Sequence, residues 1–317
     1  MDRVNSWKPT ATSTRLRARA CLLRDIRHYF SEQNVLEVET PVISMAANTD
    51  PEIQSIRTEG NGYLRTSPEF ALKRLLAAGS GDIYELGRVF RAGEAGRFHN
   101  PEFTLLEWYR VHYSYHDLMA EVARMVRHCS RGKFDQWPEE KLSYRDLFIR
   151  HLKLDPFAAD IAELSATAGE HGIGDIELGR SQWLDLLLSH VIQPALPERG
   201  LTFVFDYPAD QAALARIRPD TPPVAERFEL YLGRNELANG YQELTDAGEQ
   251  LRRFKAENAQ REKRGEAVYP IDRHLITAIE HGLPECAGVA LGVDRLLMSI
   301  CAADSVDEVL AFPFSRA

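Results

Sequence analysis

Paired strand-like runs joined by tight turns, with helical segments around them, predict an α+β fold with a mixed, mostly antiparallel sheet flanked by helices. Three observations carry this expectation. Residues 82–91 and 102–110 alternate with period two on either side of a connection rich in Gly and Arg, as the arms of a hairpin do. Residues 224–232 and 236–244 flank a turn at Gly233-Arg-Asn235. Strands and helices never settle into the regular βαβ repeat of a doubly wound sheet, and Gly79-Ser-Gly81 leads into no Gly-Lys-Ser/Thr, which excludes a P-loop.

Taken in order, residues 1–12 read as a loose leader. Ser13 or Thr14 caps a helix on which Leu16, Ala20, Leu23, Ile26 and Phe30 recur at helical spacing, ending near Asn34. A short strand over 35–38 stops at Thr40-Pro41. Residues 52–66 read as a β-meander turning at Gly60-Asn-Gly62, and Ser67-Pro-Glu69 opens a helix through Leu76. A helix over 116–129 follows the first hairpin. Residues 130–200 form an irregular helical elaboration, with an amphipathic helix over 181–192 as its clearest element. A strand over 201–207 stops at Pro208. Asp246 and Glu249 form a capping box that opens a polar helix to Gly265, and a strand over 288–291 runs into a helix from Val293.

Bulk properties narrow the function. The chain has 317 residues, 44% hydrophobic and 27% charged, without a long apolar run to span a membrane or a secretory signal at the N-terminus. Its net charge of −9 argues against gripping nucleic acid as the main task, since Lys and Arg on phosphates supply most of that affinity. Cys21, Cys129, Cys286 and Cys301 lie far apart with no metal or redox spacing, as free thiols in a reducing cytoplasm do.

Three stretches carry chemistry. Alternation sets Arg91 on one floor with Phe103, Glu107 and Tyr109, and leaves Arg97 and His99 in the connecting loop. A guanidinium for carboxylate or phosphate, an aromatic for a base and a carboxylate for a metal suit nucleotide activation; a solvated surface hairpin is the bland alternative. Glu229, Glu236 and Glu243 lie seven apart, but Gly233, Asn239 and Gly240 argue against one continuous helix. On antiparallel strands Glu229 and Glu236 face each other and share a divalent cation beside phosphates. Odd spacing turns Glu243 away unless a bulge near Gly240 restores it. Finally, residues 288–295 form a strand-to-helix junction whose small residues admit a ligand to the backbone, with Arg295 over a phosphate tail or a base.

Together these blocks resemble the three signature motifs of class II aminoacyl-tRNA synthetases: Glu39-Thr-Pro41 after a long helix, residues 88–109, and residues 288–298. Thr66-Ser-Pro-Glu69, Arg97-Phe-His-Asn-Pro-Glu-Phe-Thr104, Asp206-Tyr-Pro208, Glu236-Leu-Ala-Asn-Gly240 and Gln242-Glu-Leu244 are similar to the lysyl branch. The resemblance covers almost the whole chain from residue 15. It implies a catalytic domain over 15–317 after a 1–14 leader, with no anticodon-reading OB domain. That points to the branch's truncated paralogues, the elongation factor P–(R)-β-lysine ligases. Such enzymes activate (R)-β-lysine with ATP and Mg²⁺ and pass it to a lysine side chain of elongation factor P.

What the resemblance implies for individual residues follows the motifs. Arg91 would hold the carboxylate and α-phosphate and, with Arg295, carry catalysis. Phe103 would stack on adenine, with Arg295 on the other face or the γ-phosphate. Arg97, His99 and Asn100 would lie along the nucleotide, with Leu237 and Gly292 lining its site, and Glu229 and Glu236 would hold Mg²⁺. Glu69, beside Ser67, would take one amine and Tyr109 with Glu243 the terminal ammonium, from separate ends of a pocket also lined by Asn239. The chain would form a homodimer through the first motif, and no tRNA would be needed.

Two departures stand out. Gly93 occupies a position where the second motif usually has Glu, so either Glu94 reaches in or the backbone reads adenine. Ala290 replaces the usual Gly of the third motif, and a methyl there would disfavour α-lysine. A tRNA-charging fragment and a non-catalytic paralogue that senses amino acid or nucleotide remain as alternatives.

Overall fold

In the computed structural model, which describes residues 7–174 and 176–317, the chain is a mixed, mostly antiparallel sheet wrapped by helices. Helix α1 (Ser13–Glu32) is capped by Thr12, whose side chain accepts from Arg15 N. The cap lies just before the two residues expected to supply it. Residues 10 and 11 are not loose: Thr10 N and Ala11 N donate to Ala311 and Leu310, and Ala11 is buried. Residues 1–6 of the expected leader lie outside the described residues.

Strand β1 (Leu36–Glu37) leads to a two-stranded ribbon of β2 (Ile43–Ser44) and β3 (Tyr63–Leu64). The meander expected over 52–66 is absent. Only Tyr63–Leu64 is a strand, and Arg57 bridges to Tyr63 around the Gly60-Asn-Gly62 turn. The polar run before it makes side-chain turns instead: Asp50 N donates to Asn48 Oδ1 and Glu52 N to Asp50 Oδ1. Helix α2 (Glu69–Ala77) begins where Ser67 Oγ accepts from Glu69 N at 2.9 Å.

The hairpin of β4 (Ile83–Phe90) and β5 (Glu102–Val111) forms with the predicted alternation, pairing Glu85 with Glu107 and Ile83 with Tyr109. Helix α3 (Tyr115–Ser130) follows, opened by a Ser114–Asp117 capping box.

Residues 130–200 are not irregular. Strand β6 (Glu139–Ser143) joins the main sheet, followed by helices α4 (Tyr144–Leu152), α5 (Ile161–Glu170) and α6 (Arg180–Leu187). Each helix is short. Ser143 caps α4 and Asp160 forms a capping box with Glu163 on α5. No single apolar period runs long enough to be read in the sequence. The helices close over their own core of Tyr144, Phe148, Trp183 and Leu187. The 181–192 helix is recovered, its last turn widening to a π-turn over Leu188–Ile192 before a short α7 (Gln193–Ala195).

Strands β7 (Leu201–Pro208), β8 (Ile217–Arg218), β9 (Val224–Leu232) and β10 (Asn235–Gln242) complete one half of the sheet. Asp246 caps helix α8 (Ala247–Lys263), but the reciprocal half of the expected box is missing because Glu249 bonds Arg252 and Arg253. Helix α9 (Arg273–Gly282), capped by Asp272, went unread in the sequence. Strand β11 (Cys286–Gly292) enters helix α10 (Val293–Cys301) as expected.

The main sheet runs β1-β4-β5-β11-β10-β9-β7-β6, with β8 beside β9. Its first and last pairs are parallel and the rest antiparallel, so it is mixed and mostly antiparallel as predicted. Trp108, Val289 and Phe228 point to one face, where they join α1, α3 and α10 in the largest core. Truncating a fully buried Trp such as Trp108 to Ala costs about 3–5 kcal/mol. The residues between them point to the other face, and that face carries the site. Among the described residues no helix is long and apolar enough to cross a membrane.

Candidate active site

Cross-strand register builds the floor. One rung runs Glu85, Glu107, Ala290, Asn239, Glu229 across β4, β5, β11, β10 and β9. The next runs Ile83, Tyr109, Gly288, Tyr241, Arg227. The inward positions of β11 are Gly288, Ala290 and Gly292, so small residues form a trough between the larger side chains of β5 and β10. Gly288 is obligatory: a Cβ there would lie 2.3 Å from the Tyr109 ring and 2.5 Å from Glu243 Oε1. Over this trough lies a cavity of about 370 Å³, the size of a small-ligand site.

Of the residues expected at the site, all but Gly93, Arg97 and Glu229 line this cavity. Gly93 lies in the loop with φ +78°, the left-handed region that favours glycine. Glu94 lines the cavity, its Oε1 3.5 Å from Arg91 Nη1. Arg97 turns outward and its Nε donates to the Asp304 carbonyl at 2.6 Å. Asn100 lines the wall, but its amide spans Glu102 O and Phe314 N, tying the hairpin loop to the C-terminal segment.

Two arginines stand at one end, both near His99 and Glu236. The Arg91 guanidinium lies 5.1 Å from the centre of the Phe103 ring, and its Nε is buried without a hydrogen-bond partner. Arg295 donates to the Glu236 carbonyl at 2.8 Å, and its Nη2 lies 2.6 Å from His99 Nε2. Burial and the Arg295 charge lower the His99 pKa, so Nε2 is free to accept. Arg19 of α1 fixes the spacing of this end. It bonds Asp294 and Thr104 at once, while Thr104 N donates to Asp294 Oδ2 at 2.9 Å, so Phe103 and Arg295 are built on one clamp.

Glu236 lines the cavity and Glu229 stands one strand behind it. Glu229 accepts from Arg227 at 2.5 Å and Tyr231 at 2.6 Å. Burial and the nearby Glu229 charge raise the Glu236 pKa. The bulge that returns Glu243 to this face lies between Glu236 and Ala238, earlier than the expected place near Gly240. Gly240 answers a different need, since a Cβ there would lie 2.5 Å from the Phe228 ring.

The other end holds carboxylates. Glu69 and Glu243 were expected at separate ends of the pocket, but they sit together, because both bond Lys73 Nζ at 2.6 Å. Lys73 follows Glu69 by one helical turn on α2, a geometry that delivers its ammonium to Glu243. Glu107 accepts from Ser67 Oγ at 2.6 Å and Tyr109 OH at 2.8 Å. Burial, then the Glu69 charge, pushes Glu107 up to about 8; burial pushes Glu243 up to about 7 against the pull of Lys73. Asn239 Oδ1 is buried with no hydrogen-bond partner.

Several cavity residues went unassigned in the sequence. Glu107 was placed on the floor by alternation but given no ligand. Asp50 and Glu257 come from the loop before β3 and from α8, which no local pattern links. Burial pushes Glu257 up to about 7, with a Thr49 hydroxyl bonded to it.

Over residues 2–316 the chain matches the family model of class II tRNA synthetases (D, K and N). It belongs to that family. The elongation factor P–(R)-β-lysine ligase of Vibrio cholerae serotype O1 is 49% identical over 99% of each chain. Proteins of the same name from Yersinia enterocolitica and Photorhabdus laumondii are 47% and 45% identical over the full length of both. In this class II synthetase the second motif is the β4–β5 hairpin and the third is the β11–α10 junction, neighbours through the β5–β11 pairing.

Proposed function

We propose that this protein activates (R)-β-lysine with ATP and passes it to a lysine side chain of elongation factor P. The observation that carries the reading is one cavity with arginines at one end and buried carboxylates at the other. A diamino acid and a nucleoside triphosphate need those two ends, and the full-length relatives bear this activity in their names.

In the first step a carboxylate oxygen of the amino acid attacks the α-phosphorus of ATP. The bond to the β-phosphate oxygen breaks and pyrophosphate leaves. Arg91 holds both reacting groups and stabilises the charge that develops between them. Phe103 offers a face for adenine once Arg91 turns to the phosphate, Glu94 reaches the adenine side in place of Gly93, and Arg295 with His99 takes the phosphate tail. Leu237, Asn100 and Gly292 wall the nucleotide, while Arg97, turned outward, bears on it only through the loop. Mg²⁺ would neutralise phosphate charge when bound; Glu236 would hold it, with Glu229 adding its charge from behind.

In the second step the neutral amine of the acceptor lysine attacks the acyl carbon. An amide forms, the mixed anhydride C–O bond breaks and AMP leaves, with the amine proton passing to solvent. No protein nucleophile is required, so positioning carries the rate. Glu69, Glu107, Tyr109 and Glu243 receive the ammonium groups with Ser67 and Asn239, and the Ala290 methyl shapes the floor between Glu107 and Asn239.

Residues 15–317 form one catalytic domain in this reading. Exposed Leu36, Ile43 and Met45 beside Glu39-Thr-Pro41 support a homodimer. A net charge of −9 supports a protein acceptor rather than tRNA, and free thiols at all four cysteines support a cytoplasmic setting. The test is to incubate the protein with ATP, (R)-β-lysine, purified elongation factor P and tRNA and map the products by mass spectrometry. One lysyl residue added to one acceptor lysine is expected. An unmodified acceptor alongside charged tRNA would overturn the proposal.

A further inference from the structure

Lys73 is fully buried, and an ammonium in such a place needs charged partners on every open side. Burial alone would lower its pKa, but Glu243 and Glu69 overcome that and hold it well above the usual lysine range. The titratable groups that act on it or on its two carboxylate partners come from five places: Glu69 on α2, Glu107 and Tyr109 on β5, Glu243 just past β10, Cys286 on β11 and Glu257 on α8. Glu69 and Glu243 pair with Lys73 and Glu107 lies beside those two carboxylates; with the three ionised, the one resident ammonium leaves a net charge of two negatives.

We propose that Lys73 is the charge-setting positioning residue of this end. It ties Glu69 to Glu243 and fixes the cluster at two negatives, matched to the two ammonium groups of a diamino acid. The inference rests on the function proposed above and specifies how the site counts charge. A cluster of three carboxylates without Lys73 would have to take up a proton in place of the missing cation. That proton would then have to leave before two ligand ammonium groups could both be held. With Lys73 present that one extra proton is not taken up, because its charge persists across the working pH range; only the protons that burial places on Glu107 and Glu243 have to leave.

The test is calorimetric titration of the full chain with (R)-β-lysine between roughly pH 6.5 and 8.5, in buffers of different ionisation enthalpy, which counts the protons released on binding. ATP binding is measured on each sample as a control on the nucleotide end. Lys73→Met should release about one proton more than the wild type and bind about tenfold more weakly at the acid end of the range, with the gap closing as pH rises. Its ATP affinity should hold within about twofold, because no nucleotide contact involves Lys73. Lys73→Arg keeps the cation and should keep the wild-type proton count, which provides a test should Lys73→Met fail to fold. An unchanged proton count in Lys73→Met, or an altered one in Lys73→Arg, would overturn the proposal. Wild type that binds ATP but neither (R)-β-lysine nor α-lysine would instead overturn the functional reading beneath it.

Discussion

The two ends of the cavity solve opposite problems with opposite degrees of burial. At the nucleotide end Arg91 and Arg295 each keep about a quarter of the side chain exposed, at 26%. Their contacts are loose, to backbone or to the neutral His99 ring, so they can re-aim when phosphates arrive. At the ammonium end Lys73 and Glu243 are only 1% exposed, and Lys73 pairs with both Glu69 and Glu243. Buried polar groups discriminate sharply because a missing partner leaves them unpaired, whereas half-exposed charges fall back on water. Catalytic power should therefore reside at the first end and substrate choice at the second.

The strongest way to break that division is at Arg91. Arg91→Ala should lower kcat/KM for adenylation about 10³-fold, roughly 4 kcal/mol of transition-state stabilisation, with amino-acid affinity little changed. Pyrophosphate exchange together with amino-acid titration separates the two effects. A loss confined to amino-acid KM would put catalysis at the wrong end.

Glu107→Gln sharpens the other side. It keeps the shape and the reach to Ser67 and Tyr109 but removes the charge, so KM for a diamino acid should rise about 10–100-fold with KM for ATP unchanged. The pH dependence has a definite sign. A carboxyl whose pKa is raised is protonated below that value and cannot receive an ammonium. Amino-acid KM should therefore fall as pH rises through about 7 for Glu243 and about 8 for Glu107, and Glu107→Gln should abolish the upper part of that fall. A flat wild-type profile would contradict it.

A smaller effect is expected at the floor. Ala290 lies between Glu107 and Asn239, so Ala290→Gly should improve α-lysine relative to (R)-β-lysine by about tenfold, as one methyl in a tight site does. No gain with α-lysine would remove Ala290 from substrate choice. Smallest is Arg19→Met, which loosens the clamp on Thr104 and Asp294. It should raise KM for ATP about three- to tenfold and leave the amino-acid KM alone. A fall in melting temperature with unchanged KM for ATP would make the clamp structural only.

How legible each part was in the sequence follows from the range of the forces involved. The β4–β5 hairpin, the β9–β10 hairpin and the β11–α10 junction were readable because period-two alternation and turn glycines act locally. So were the cavity positions of Arg91, Phe103, Tyr109 and Arg295. Strand β6, helix α9 and the second core were not, because short capped helices gain their stability from contacts distant in the chain. Lys73 shows the same limit at the site. Its spacing from Glu69 was visible, but its partner Glu243 lies far along the chain, and only the bulge at Leu237 turns that carboxylate inward. Asp50 and Glu257 reach the cavity from unrelated elements, and Arg97, although it stands inside the motif, is drawn outward by Asp304.

The central claim is adenylation of a diamino acid in this cavity. ATP–pyrophosphate exchange on the purified protein, with (R)-β-lysine and α-lysine side by side, tests it most directly. Exchange with both present but faster with (R)-β-lysine is the predicted result. Exchange driven only by α-lysine, or none with either while ATP still binds, would contradict it.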